Sequence, residues 1–252
     1  MIGRRITGGA LLAVIALSGT ACSSASSDSA SSNSSITVAA AASLTDVFET
    51  VGTEFTKSTG VEVSFSFAAS SAIAEQIRGG APIDAFASAG TTSMDPLLAE
   101  QLVTDVTAFA TNSLAIAVPA GNPGDVSSLA DLSRVSVVVC EEQVPCGVAT
   151  VELIERNALT ITPVSFEPDV RSVLGKISAD EADAGIVYVT DAMGREDVES
   201  IAIPDDANVS TTYQAAVVAA SPRTDAASAF IAYLSSPAAQ AVLEAAGFGP
   251  AS

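Results

Sequence analysis

Serine hydroxyls stand where predicted strands give way to predicted helices, and they are the side chains of this sequence best placed for binding chemistry. Ser43 follows the apolar run "ITVAAAA" and precedes "LTDVF", and Ser70 follows "SFSFAA" in the same way. A hydroxyl at such a junction can cap a helix, which contributes about 1 kcal/mol, or bind an anion together with the free amides of the first turn. Capping explains either serine alone, and two such junctions together favour an anion site.

Three further junctions offer polar groups of the same kind. In "VPCG" the amide of Cys146 comes at the start of a predicted helix, and in "PDVR" the amide of Val170 lies in a first turn. Such amides point along the positive end of the helix dipole. Tyr188 ends the buried strand "AGIVY", where core packing with a satisfied hydroxyl is the alternative interpretation. None of these signals identifies a site by itself.

The absence of histidine limits the enzymatic chemistry that the chain could perform. With no histidine in 252 residues, a Ser-His-Asp triad, a Cys-His pair and a histidine-ligated metal are all excluded. Lys57 and Lys176 are the only lysines, and both fall at positions of helical pattern that we predict to face solvent. No nucleophile and base can be paired from this inventory, so we predict a binding protein and not an enzyme.

The amino terminus has the layout of a secretory signal. Two arginines precede a short apolar stretch that ends in small residues, which predicts a signal peptide over residues 1–21. The stretch "GTAC" resembles the lipobox of bacterial lipoproteins, with cleavage before Cys22 and acylation of its thiol; ordinary secretion with cleavage near Ala21 is the alternative. The serine-rich residues 22–35 predict a flexible tether. We therefore expect a domain outside the cytoplasmic membrane, anchored by lipid.

The remaining chain is strongly acidic. Loss of Arg4 and Arg5 with the signal leaves 8 basic residues against 29 acidic ones, a net charge of −21. This charge argues against nucleic-acid partners and against attraction to an anionic bilayer. The chain that remains after removal of the predicted signal peptide is long enough for one large domain or two lobes.

Two cysteines remain beside Cys22. Cys140 and Cys146 flank "EEQVP", and outside the cell this spacing favours a disulfide. Two cysteines without histidine make a poor metal-ligand set, so we predict no metal site of that kind.

Apolar runs alternate with helical patterns along the chain, which predicts an α/β architecture with mostly parallel sheets. Ligands of such sheets bind beyond the carboxyl ends of strands, where helices begin. The helical patterns include residues 44–55, 170–177, 230–234 and 238–245. The predicted strands are 36–42, 61–67, 83–88, 113–118, 135–139, 185–189, 198–203 and 214–219.

From residue 36 onward the ordered series of motifs resembles the molybdate-binding proteins of ABC importers. The motifs are "ITVAAAASLTDVF", "GVEVSFSFAASSAIAEQIRGGAPIDAFASA", "NSLAIAVP", "VPCG", "DVR", "GIVY" and "AFIAYLSSPAAQAVLEAAGFG". The resemblance implies the two-lobed periplasmic-binding-protein fold (type II), with helices flanking the sheets and the ligand in the interlobe cleft. It implies a first lobe of residues 36–114 plus 215–252 and a second of residues 115–214.

The resemblance also implies the ligand groups, which in this family are hydroxyls and backbone amides without a cationic side chain. Ser71 is the open alternative to Ser70, and members commonly have alanine where this chain has Cys146. A disulfide from Cys140 to that residue would fix the position of an amide donor before the ligand arrives. Matched by motif, the ligand set is Ser43, Ser70, Cys146, Val170 and Tyr188.

The expected function is capture of molybdate, and of tungstate, for a membrane permease by a monomeric protein without a cofactor. A binding protein for sulfate or another tetrahedral oxyanion is the first alternative. A phosphate site usually has an acceptor for the bound proton and often an arginine, and Asp46 and Arg171 keep that possibility open. An enzyme or an extracellular interaction domain using the same cleft is the second alternative.

Overall fold

The computed structural model describes residues 35–251. The predicted signal peptide, Cys22 and the tether up to residue 34 lie outside the described residues. The strands of the described chain are Ser35–Ala41 (β1), Glu62–Ala68 (β2), Ala85–Ala89 (β3), Val103–Pro119 (β4), Val137–Cys140 (β5), Ser165–Glu167 (β6), Ala184–Tyr188 (β7), Val198–Ala202 (β8) and Ser210–Val218 (β9).

Eight α-helices and two short 3-10 turns occur in the same described range. The turns are Ala42–Leu44 and Leu129–Ser133. The helices are Thr45–Thr59 (α1), Ser70–Arg78 (α2), Met94–Ala99 (α3), Pro145–Arg156 (α4), Val170–Ser178 (α5), Val189–Ala192 (α6), Thr224–Leu234 (α7) and Pro237–Ala245 (α8).

The strands pair in the order β2-β1-β3-β9-β4-β7-β5-β6, and β8 pairs with β4. β1 is parallel to β2 and β3, and β5 is parallel to β6 and β7. The long strand β4 is antiparallel to β9 along its first part and antiparallel to β7 and β8 along its last part. The predicted α/β class is therefore confirmed. The expectation of mostly parallel sheets is wrong, since four of the eight strand pairings in the described range are antiparallel, and all four involve β4 or β9, the strands that cross between the two halves.

Buried apolar side chains gather on both sides of this crossing. One core consists of residues between 114 and 209, joined by Ala42 and Ala69. Two further clusters contain residues between 36 and 110 and between 213 and 248. β4 contributes to the cores on both sides, whereas the buried residues of β9 belong to the two further clusters. β4, paired with β9 along its first part, is therefore the connection between the two halves. The exact lobe boundaries stay a prediction.

Helix α1 shows why these segments take their conformation. Phe48, Val51 and Phe55 recur at helical spacing and are fully buried. The ring of Phe230 on α7 meets Phe48 and Phe55 edge to face, at centroid distances of 5.9 and 5.3 Å. The helix ends where Gly60 takes a left-handed conformation with φ of 76°. Burial of each such ring contributes roughly 1.5–3 kcal/mol and holds α1 against the sheet.

Four of the described strands and α-helices were not predicted in full, and each lacks a continuous apolar run. One of them, α6, has only four residues. The first part of β4, residues 103–112, is half exposed and interrupted by register shifts between Thr104 and Ala110, with Asp105 at a φ of 55°. β6 has three residues and α3 has six. Short or interrupted elements carry too few apolar positions for their period to show.

Among the described residues no single helix is long and apolar enough to cross a membrane, although the bent pair α7 and α8 meets the length and composition criteria together.

Candidate functional site

All five residues predicted to bind a ligand line one cavity between the two halves of the protein. The cavity volume is about 10 Å³, close to the space needed for one water molecule. The cavity therefore suits a small compact solute and excludes sugars and peptides. Its lining residues are Ala41, Ala42, Ser43, Ala69, Ser70, Ala89, Pro145, Cys146, Asp169, Val170 and Tyr188.

The starts of three helices converge on this cavity. Ser70 is the first residue of α2, Cys146 the second of α4 and Val170 the first of α5. Ser43 lies in the 3-10 turn that leads from β1 into α1. The first amides of a helix have no partner within it, and they carry the positive end of its dipole. Their convergence creates a positive potential inside a protein of strongly negative net charge.

The two serine hydroxyls are buried and held in place by specific partners. Ser43 Oγ lies 2.8 Å from the hydroxyl of Tyr213 on β9. Ser70 Oγ accepts a hydrogen bond from the backbone amide of Ala89 at 3.0 Å. Since a serine oxygen has one proton to donate and can accept as well, the Ser70 proton stays free to donate into the cavity.

Tyr188 presents a buried hydroxyl without a hydrogen-bond partner among the described residues. Its side chain is almost completely buried, and burial raises the pKa of the phenol well above its usual range. A buried polar atom left unpaired costs about 1–3 kcal/mol. A phenol that keeps its proton and belongs to a residue lining the cavity fits a ligand that accepts hydrogen bonds.

The family described as bacterial extracellular solute-binding protein matches residues 36–249 of this chain. The chain belongs to this family. Among the relatives of this solute-binding protein, the molybdate-binding protein ModA of Mycobacterium tuberculosis is 40% identical over 218 residues, which cover 84% of each protein.

Solved structures share the fold of this solute-binding protein at lower identity. The periplasmic molybdate-binding protein of Azotobacter vinelandii superposes with a TM-score of 0.74 at 22% identity, over 84% of this chain and 98% of that one. The sulfate-binding protein SubI of Mycobacterium tuberculosis gives a TM-score of 0.70 at 21% identity, over 86% and 87% of the two chains. These likenesses confirm the predicted two-lobed fold.

Within residues 35–251 of the solute-binding protein, no lysine or arginine lines the cavity. The Asp169 carboxylate lies at its wall and accepts a hydrogen bond at 2.9 Å from the amide of Ser172, where it caps α5. Arg171 points instead towards an ion pair with Asp46 across the cleft. The donors available to a ligand are therefore neutral hydroxyls and amides.

A buried carboxylate lies behind Tyr188. Asp191 accepts a hydrogen bond from the Tyr188 backbone amide at 3.2 Å, and its other oxygen has no hydrogen-bond partner among the described residues, although Arg171 forms a long ion pair with it. Burial raises the pKa of Asp191 to about 7, against the opposing effect of Arg171, whose Nε is 3.8 Å from that carboxylate. Among residues 35–251 no group of three or more His, Cys, Asp or Glu could hold a metal ion.

The start of α4 fits tightly against the turn before it. A disulfide joins Cys140 at the end of β5 to Cys146, with their Cα atoms 5.8 Å apart. A Cβ atom on Gly147 would lie 1.8 Å from the carbonyl oxygen of Glu141. Only glycine allows this approach, so the covalent bridge and the close contact together fix where the first amides of α4 point.

Sequence reasoning left one hydroxyl open and missed another. Ser71 is half-buried and is not among the lining residues, whereas Ser70 is fully buried and lines the cavity. The partner of Ser43, Tyr213, was not predicted because 170 residues separate the two. The alternation in "TTYQAAVV" places Tyr213 on a buried strand face, which is the only signal that could have pointed to it.

Proposed function

We propose that this solute-binding protein is the ligand-capturing component of an ABC importer and that its ligand is molybdate, with tungstate as a second ligand of the same shape and charge. One observation carries the proposal. The hydroxyls of Ser43, Ser70 and Tyr188 and the starts of α4 and α5 surround one small cavity, to which the described part of the chain contributes no cationic side chain. The relative named as a molybdate-binding protein, 40% identical over most of the chain, supports the same ligand.

Neutral donors of this kind suit a dianion that carries no proton. Each hydrogen bond to a charged group contributes about 1.5–3 kcal/mol, and several together offset the cost of removing the anion from water. A protonated oxyanion has a proton that needs an acceptor. Hydroxyls already engaged as donors, and amides, offer none, so these groups discriminate against it. Among the described lining residues Asp169 alone has a carboxylate that could accept that proton, and one of its oxygens already accepts from the Ser172 amide.

Capture takes place between two lobes, which we assign to residues 36–114 plus 215–252 and to residues 115–214. Ser43 and Ser70 belong to the first lobe, and Cys146, Val170 and Tyr188 to the second. A bound anion that is held by both groups of donors keeps the lobes together, and this closed form is what a permease would recognise. The disulfide holds the Cys146 amide in place before binding, which lowers the ordering cost.

We further propose that the protein acts outside the cytoplasmic membrane as a monomer, held there by lipid on Cys22. The serine-rich residues 22–35 would then act as the tether, which ends where β1 begins at Ser35. Stable anchoring takes about two acyl chains, since each buried methylene contributes roughly 0.8 kcal/mol. The partner in the membrane is the permease of the importer, and the protein itself performs no catalysis.

Sulfate is the second candidate ligand, since a tetrahedral dianion of smaller size makes the same kind of hydrogen bonds. The likeness to the sulfate-binding protein SubI, at 21% identity, concerns the fold alone. Cavity size decides between the two anions, because too large a cavity leaves a small anion out of reach of some donors.

Titration calorimetry of the purified protein with molybdate, tungstate, sulfate and phosphate tests the proposal. We expect one-to-one binding of molybdate and tungstate, with sulfate and phosphate far weaker. Ser70→Ala should weaken molybdate binding by about 10-fold to 150-fold, since it removes a hydrogen bond to a charged group. Ser71→Ala is the matched control and should bind like the wild type. Sulfate binding as tight as molybdate, or no heat from any of the four anions, would refute the molybdate assignment.

A further inference from the structure

Tyr213 lies behind the ligand cavity and contacts one of its hydroxyls. The side chain is fully buried on β9, with its ring against Phe248 and Tyr188 at centroid distances of 5.4 and 6.0 Å. Among the described residues its hydroxyl has two hydrogen-bond partners, which are Ser43 Oγ at 2.8 Å and Asn112 Nδ2 at 3.4 Å. Tyr213 does not line the cavity.

The orientation of the Asn112 amide determines the direction of these hydrogen bonds. Asn112 Oδ1 accepts from the backbone amide of Ser113 at 3.0 Å, so the oxygen and nitrogen of the side chain cannot be exchanged without placing two donors against each other. Asn112 Nδ2 then has two protons to donate. One goes to Thr190 Oγ1 at 2.8 Å and the other to the Tyr213 hydroxyl.

The Tyr213 proton consequently has one available acceptor. An amide NH₂ group cannot accept a hydrogen bond, so the phenol proton of Tyr213 must go to Ser43 Oγ. Burial raises the pKa of Tyr213 well above its usual range, so this proton stays on the phenol at any physiological pH. Ser43 Oγ is thereby an acceptor from Tyr213, and its own proton has no acceptor among its neighbours in the described chain. That proton is left to point into the cavity.

We propose that Asn112 and Tyr213 form a hydrogen-bond relay that turns the Ser43 hydroxyl into a fixed donor towards the bound anion. Tyr213 is a positioning residue in this relay, because it acts on the ligand only through Ser43. The inference rests on the proposed function, since it assigns a role in anion binding at the same cavity.

Ser70, on the same wall as Ser43, follows the same logic with a different partner. The backbone amide of Ala89 can only donate, so Ser70 Oγ accepts from it and keeps its own proton for the cavity. Both serine hydroxyls are therefore constrained as donors before a ligand arrives. A hydroxyl free to rotate would have to give up two of three staggered positions on binding, which weakens binding about threefold.

A double-mutant cycle on molybdate affinity tests the relay. Tyr213→Phe keeps the ring and removes the proton that orients Ser43, and it should weaken binding by about threefold to tenfold, since orientation and polarisation of the donor are both lost. In a Ser43→Ala background the same substitution should have no effect, because nothing remains to be oriented. Tyr233→Phe, on α7 and away from the cavity, is the matched control and should bind like the wild type. Equal losses from Tyr213→Phe in both backgrounds would overturn the relay and indicate a packing role.

Neutron diffraction from crystals exchanged into D₂O gives a test that does not depend on molybdate. We expect a deuteron on the Tyr213 oxygen directed at Ser43 Oγ and a second deuteron on Ser43 directed into the cavity. A Ser43 deuteron directed at Tyr213 would overturn the relay whatever the ligand is. If the wild-type protein binds no molybdate, the proposed function is refuted, and the deuteron positions still decide for or against the relay.

Discussion

One methyl group added at Gly147 tests how closely the start of α4 must fit against the preceding turn. The new Cβ atom would lie 1.8 Å from the carbonyl oxygen of Glu141, whereas such atoms do not approach closer than 3.0 Å. Relief of this contact requires a shift of about 1.2 Å, the difference between these two distances. The position of the Cβ atom is fixed by the backbone of residue 147, and the oxygen belongs to the backbone of Glu141, so no rotation of a side chain can relieve the contact. The disulfide between Cys140 and Cys146 spans the same turn and resists the shift.

The shift moves the amide of Cys146, which is next to Gly147 and lines the cavity. Loss of one hydrogen bond to a charged ligand removes about 1.5–3 kcal/mol, which corresponds to molybdate binding about 10-fold to 150-fold weaker. Overpacking should also lower the free energy of unfolding by about 1–3 kcal/mol. Titration calorimetry measures the first quantity and urea denaturation of the ligand-free protein the second.

Gly175→Ala is the matched control for Gly147→Ala. Gly175 lies inside α5, and a Cβ atom there meets nothing within 4 Å. This substitution should leave binding unchanged and stabilise the protein by up to about 1 kcal/mol through helix propensity. If Gly147→Ala binds molybdate with wild-type affinity and full stoichiometry, the role assigned to the close fit of α4 is wrong.

Three further substitutions have defined outcomes. Because burial raises the pKa of Asp191 to about 7, the folded protein keeps a proton that the unfolded chain loses above about pH 4. As the pH rises from about 4 to about 7, the free energy of unfolding of the wild type should therefore fall relative to that of Asp191→Asn. Urea denaturation at several pH values measures this difference, and a difference that does not change with pH would contradict the prediction. Replacing Cys140 and Cys146 by alanine should lower the free energy of unfolding by about 2 kcal/mol and speed molybdate release in stopped-flow experiments. An unchanged release rate would show that the disulfide does not hold the Cys146 amide in place for binding. Asp46→Asn breaks the ion pair with Arg171, but the Asp46 side chain is 78% exposed, so stability should change by less than about 1 kcal/mol and molybdate affinity by less than about threefold in calorimetry.

Elements with a clear period could be predicted from the sequence alone. The spacing of Phe48, Val51 and Phe55 predicts α1, because this helix buries one face against the core. The apolar run before Ser43 predicts β1, because this strand is buried on both faces. The first part of β4 could not be predicted in this way. Its side chains alternate irregularly between solvent and core because the register with β9 shifts along it.

The lining of the cavity could be predicted only in part. Four of the lining residues come at helix starts, where the local sequence shows that a strand or loop gives way to a helix. One such junction does not identify a site. The four are Ser43, Ser70, Cys146 and Val170. Tyr213 lies within strand β9 and not at a helix start. Its contact with Ser43 depends on how β9 returns beside β3 and β4, and pairings over such separations leave no local pattern in the chain.

The pairing of β4 with β9 makes one half of this protein an insertion in the other. Ser113 lies opposite Ser210 in the antiparallel ladder, so residues 114–209 leave and rejoin the rest of the chain at adjacent positions, with Cα atoms about 5 Å apart. When the two ends of an inserted segment are neighbours, another segment with the same end spacing can replace it without moving the flanking strands of the rest of the protein. This half carries Cys146, Val170 and Tyr188, so recombination between relatives at this one ladder position would replace one wall of the cavity as a unit and leave the serine wall unchanged.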